Sequence, residues 1–150
     1  MSVTGKERYK EAVHNFDIAI DHAAAITPRT YGSTLKEVHW RYTKAWTQKR
    51  MGYSDEAFSG AHEALEMARQ NRDGRGECQA LTLIGWTHEN LGNNEESMQF
   101  YKDALRVAHT IGDHRMKFNN LQYVGCHYSH ILFNHSEALP IWEAALHVAQ

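Results

Sequence analysis

The chain holds 150 residues, 42% hydrophobic and 23% charged, a composition that suits one folded unit and excludes a disordered segment. Its 16 basic and 18 acidic residues leave a formal net charge of −2, so no positive excess steers it towards DNA or RNA. No apolar run approaches the roughly 20 residues that span a bilayer, and Met1–Lys10 lacks the apolar stretch of a secretory signal, so a cytoplasmic location without a membrane partner is expected.

Thr4 with Glu7 matches a capping box and opens a helix expected over 5–26, which carries Ala12-x3-Phe16-x2-Ala19. Pro28 follows as a corner. A second capping box, Thr34 with Glu37, starts a helix over 34–51, and Gly52-Tyr53-Ser54-Asp55 turns the chain into a helix over 54–70 bearing Ala57-x3-Ala61-x2-Ala64. Beyond the corner Asn71-Arg72-Asp73-Gly74, the helix expected over 75–91 carries Leu81-x2-Ile84-Gly85. Gly92-Asn93-Asn94 leads to 94–110 with Ser97-x3-Tyr101-x2-Ala104. After Gly112-Asp113, the helix over 114–132 carries Leu121-x2-Val124-Gly125, and the last, over 136–149, carries Ala138-x3-Trp142-x2-Ala145. The two Leu-x2-apolar-Gly segments stand 40 residues apart, so the chain repeats itself. Small residues at spacings of 3, 4 and 7 share one helical face and admit a neighbouring helix, with the aromatic residue filling the space between.

These motifs resemble the tetratricopeptide repeat family, whose pattern runs W-x2-L-G-x2-Y and then A-x3-F-x2-A. The likeness covers nearly the whole chain, with a unit of about 40 residues that looks like the family's longer type. Leu81 or Leu121 stands at the opening Trp position and His88 at the Tyr; the helix over 34–51 matches poorly, with Arg41 and Lys44 where apolar residues belong. The resemblance implies an all-α fold, a right-handed superhelix (α-solenoid) of about seven helices in one domain over 1–150. In it, a leading capping helix precedes hairpins near 34–70, 75–110 and 114–149. It also implies a concave groove, lined by the first helix of each hairpin, that receives a peptide or partner protein.

Trp46 and Trp86, 40 apart, fall one place after the packing small residue, where that groove faces outward; Cys126 is the third member. Either they anchor a partner or they fill the core. The same register points Tyr42, Lys49, Arg50, Thr82, Glu89 and Asn90 towards the groove. Gln122, Ser129 and His130 follow it on the later helix, and Asn119 is a further side-chain amide able to meet an extended peptide. The expected partner contacts are Trp46, Arg50, Trp86, Asn90, Gln122 and His130. No carboxylate-clamp set of Lys, Asn and Arg stands at these positions. The last helix presents Leu139, Trp142 and Leu146 with no following helix to cover them, so either the chain is a fragment or an end-to-end homodimer buries that face.

Eleven His residues are many for this length, yet Cys126-His127-x2-His130 with His135 lacks the paired CxxC and closed four-ligand spacing of structural zinc, and no metal or cofactor is expected. Cys78 and Cys126 read as free thiols. No nucleophile with a neighbouring base, paired carboxylates, phosphate loop or HExxH stands in a convincing context. The expected function is therefore a non-catalytic adaptor or scaffold; a ligand- or peptide-sensing domain of a larger signalling protein is the alternative.

Overall fold

The computed structural model describes residues 3–131 and 135–149. Among them the chain runs α1 (Val3–Ala25), α2 (Tyr31–Arg50), α3 (Ser54–Gln70), α4 (Gly74–Asn90), α5 (Asn94–Thr110), α6 (His114–Cys126), a π-helical turn (His127–Ile131) and α7 (His135–Ala149). There is no strand among the described residues. The contacts gather into two compact units, Met1–Gly76 and Glu77–Gln150, so the first turn of α4 belongs to the earlier one.

The corners form because each supplies a residue able to turn the chain back. Gly52, Gly92 and Gly112 adopt positive φ, which glycine does without steric cost. At the fourth corner Arg72 takes φ 55°, whereas Gly74 already starts α4. Asp73 and Asp113, 40 apart, do equal work: each Oδ1 accepts a backbone N–H, from Gly76 at 2.9 Å and from Met116 at 3.0 Å. α2 departs from expectation. Its N-cap is Thr30, which exchanges side-chain and backbone hydrogen bonds with Ser33 at 3.1 Å each way, so the capping box lies one turn earlier than Thr34 and Glu37. Glu37 cannot cap because its carboxylate is engaged by Arg29 and Arg41. Thr4 likewise falls inside α1 rather than at its cap.

The small-residue motif is the packing code. Ala57, Ala61, Ala64, Ser97, Tyr101 and Ala104 are fully buried, and Ala138 and Ala145 nearly so. Within unit 2 the aromatic residue of each second helix lies on the glycine of the first. A Cβ on Gly85 would come 2.9 Å from the Tyr101 ring, and one on Gly125 2.9 Å from the Trp142 ring. In unit 1 the pair is small on small, with Gly60 against Ala45. Gly85→Ala is expected to destabilise unit 2 by about 1–3 kcal/mol in denaturant titration: over-packing against a buried ring outweighs the ~1 kcal/mol gained in helix propensity. A more stable variant would mean that the ring has room to move.

The π-helical turn has a cause in repeat length. The second-helix motif steps 40 residues from Ala57 to Ser97 but 41 from Ser97 to Ala138. Gly85 stands five residues before the end of α4 at Asn90, and Gly125 stands six before Ile131, where the described π-helical turn ends. The wider π-helical turn in the first helix of the last hairpin has room for one additional residue.

Candidate functional site

In unit 1, α2 turns Trp46 to the surface, 36% exposed, and one helical turn later the Arg50 guanidinium stacks on it, 4.8 Å from the ring centroid. Neighbouring Lys49 is buried, and Tyr42 half-buried. Sequence reasoning missed a second feature of α2. Arg41 and Lys44, at positions where repeat 2 carries Leu81 and Ile84, are not failures of packing but centres of ion pairing. Lys44 Nζ donates to Asp17 on α1 at 2.6 Å, and Arg41 donates to Glu37 at 2.9 Å and to Glu63 on α3 at 3.0 Å. A cleft of about 420 Å³ opens beside them, with Arg41, Lys44 and Gln48 as its floor. The signal lay in the sequence as basic residues in an apolar register, with carboxylates on both flanking helices.

In unit 2, Tyr101 of α5 reaches across to α4 and α6. Its hydroxyl donates to Glu89 Oε2 at 2.9 Å, and its ring stacks on Tyr123 at 5.3 Å. Burial, then the charge of Glu89, pushes the Tyr101 phenol far above its ordinary pKa, so it stays a donor. His127 meets the same ring edge-on at 6.2 Å and is fully buried, its Nδ1 3.6 Å from Glu89 Oε2. Neither of its ring nitrogens has a hydrogen-bond partner among the described residues. Trp86 is half-buried against the cluster of Met98, Tyr101 and Val124, so it serves the core while keeping one edge in solvent. Over this base α4 exposes Asn90, and the stretch from α6 into the π-helical turn exposes Asn119, Gln122, Tyr123, Cys126 and His130. Thr82, expected outward, is half-buried with Oγ1 2.8 Å from Asn120 Oδ1.

On α7, Leu139 and Leu146 are 60% and 63% exposed, whereas Trp142 is half-buried over Gly125, where the aromatic position of the repeat motif sends it. His130 and His135 are exposed on separate elements and His127 is buried; no three His, Cys, Asp or Glu side chains among the described residues gather as metal ligands. Cys78 donates to Ala104 O at 3.3 Å and accepts from Asn120 at 3.4 Å, and burial pushes its thiol up to about 11. Cys126 is exposed. A thiol reagent is therefore expected to titrate one thiol in the native protein and a second only in denaturant; two fast native thiols would contradict the burial of Cys78.

The comparisons bear on this geometry. The family model described as Tetratricopeptide repeat matches residues 79–108, the hairpin of α4 and α5 that holds Gly85 and Tyr101. The α4–α5 hairpin is thus similar in sequence to a tetratricopeptide repeat. Among solved structures it resembles BtubC (BKLC) from P. vanneervenii, with a TM-score of 0.78 at 16% identity over 93% of this chain. That likeness supports an all-helical α-solenoid fold beyond the matched hairpin, while this chain spans 56% of the BtubC chain. No curated protein matches it. Tetratricopeptide repeats generally mediate protein–protein interaction and are typically non-catalytic. No helix among the described residues is long and apolar enough to cross a membrane.

Proposed function

We propose that this chain, one hairpin of which is similar to a tetratricopeptide repeat, is an adaptor or scaffold that binds a peptide or segment of another protein. The residues proposed to do so are Trp46 and Arg50 in unit 1 and Trp86, Asn90, Gln122 and His130 in unit 2. The observation that supports it best is Trp46. Trp40, Trp86 and Trp142 are each half-buried against neighbours, but Trp46 is left 36% exposed with a guanidinium laid on its ring. A Trp and an Arg stacked at the surface form a flat, pre-ordered platform that loses little entropy on binding, the composition typical of binding hot spots. Side-chain amides at Asn90 and Gln122 both donate and accept, which suits the backbone of an extended segment.

The test is capture of partners from the native cell on immobilised chain, then calorimetry with the identified partner. Trp46→Ala and Arg50→Ala are each expected to weaken binding by about 2 kcal/mol, roughly thirtyfold, with the melting temperature unchanged. Unchanged affinity in both variants would sink the proposal. Trp86→Ala is the wrong probe, because the core cluster it packs on would loosen at the same time.

A further inference from the structure

α1 rests on the α2–α3 hairpin with little of its surface deeply buried. Among its described side chains only Ile20 and Ala23 are buried, although the helix runs 23 residues. The face of α2 beneath it carries Lys44 and Arg41 in the register that buries Leu81 and Ile84 one repeat later. Lys44 holds Asp17 of α1 at 2.6 Å, both groups partly open to water at 27% and 49% side-chain exposure. Beside that pair the 420 Å³ cleft keeps α1 and α3 apart, with Asp21 on one wall and Glu56 on the other. Two aromatic contacts complete the seat, Tyr9 stacked on Tyr53 at 4.1 Å and Phe16 tilted against Trp40 at 6.2 Å.

We propose that α1 is a strap that opens while the α2–α3 hairpin stays folded, and that its seat accepts another helix presenting the same pattern. That pattern is two carboxylates one turn apart, as Asp17 and Asp21 are, on a face that also carries an aromatic residue. It rests on the reading of this chain as an interaction module but concerns a surface separate from Trp46 and Arg50. Ion pairs open to water weaken with salt, whereas the alanine-lined contact of α2 with α3 does not depend on charge. An element with few buried apolar contacts opens before the rest of its unit. Once α1 lifts, Lys44 loses Asp17 while Arg41 keeps Glu37 and Glu63, so Lys44 is the cation of the seat that an incoming carboxylate would meet.

Hydrogen exchange followed by mass spectrometry on the full chain tests this, at low salt and at 0.5 M sodium chloride, with and without excess synthetic peptide of residues 3–25. The expected result is α1 amides exchanging on the order of tenfold faster than those of α2 and α3, and faster again in salt. Asp17→Asn is expected to bring the high-salt rate to low salt. Added peptide is expected to quicken exchange in α1 while leaving α2 and α3 protected. α1 exchanging in step with α2 and α3 at both salts would overturn the strap, and a peptide without effect on α1 would overturn the exchangeable seat. Neither result touches the affinity measurements on Trp46 and Arg50.

Discussion

Tyr101→Ala is expected to cost unit 2 about 3–5 kcal/mol, the largest loss of any single substitution considered. The ring is fully buried, covers the bare backbone of Gly85, stacks on Tyr123 and gives its hydroxyl to Glu89 at 2.9 Å. Its removal empties a space that the glycine has no side chain to refill. Tyr101→Phe separates the two contributions: it keeps the ring and is expected to lose only about 1–2 kcal/mol, because Glu89 is partly exposed and can take water in place of the phenol. Urea titration followed by circular dichroism reads both. A Tyr101→Ala chain within 1 kcal/mol of the wild type would refute the view that this ring organises α4, α5 and α6.

Glu37→Gln is expected to cost unit 1 about 2–3 kcal/mol at neutral pH and to flatten its acid transition. The carboxylate is 4% exposed and accepts from Arg29 at 2.8 Å and from Arg41 at 2.9 Å. Burial alone would raise its pKa; the hydrogen bonds and charges of the two arginines outweigh burial and hold it below the usual carboxylate value. A carboxylate depressed in the folded state adds stability above its unfolded pKa of about 4.3, and that contribution is lost as pH falls through the folded value. Wild-type unit 1 should therefore lose stability as pH drops below roughly 4.3, and Glu37→Gln should lose less over the same interval. Melting curves from pH 7 to pH 2 check the sign. Superimposed profiles would assign the acid sensitivity to other groups.

The helices were legible because their signals are local. Positive-φ glycines, aspartate caps and small residues at spacings of 3, 4 and 7 each act within a turn or two, and the helix limits expected from them lie within a few residues of those observed. The start of α2 was misplaced because Thr34-x2-Glu37 satisfies a capping pattern that Thr30-x2-Ser33 satisfies with shorter side chains, and only the approach of Arg29 and Arg41 shows Glu37 to be engaged elsewhere. Register indicated an outward face for position 46, and Trp46 is exposed there. It could not divide Trp86 between core and surface, since that depends on how far Met98 and Val124 reach from other helices. For Arg41 and Lys44, a sequence read one helix at a time shows a mismatch, and only the carboxylates of α1 and α3 turn it into a network.

The fit of Tyr101 and Trp142 onto Gly85 and Gly125 also constrains how this chain can drift. Enlarging a glycine first drives a methyl group into a ring, and trimming the ring first leaves a void, so each single step passes through a poorer protein. A change that preserves this fit must therefore alter both members of such a pair. The small-on-small contact is tight as well, since a Cβ on Gly60 would come 3.1 Å from that of Ala45, but there no ring stands to be trimmed and the constraint is on enlargement alone.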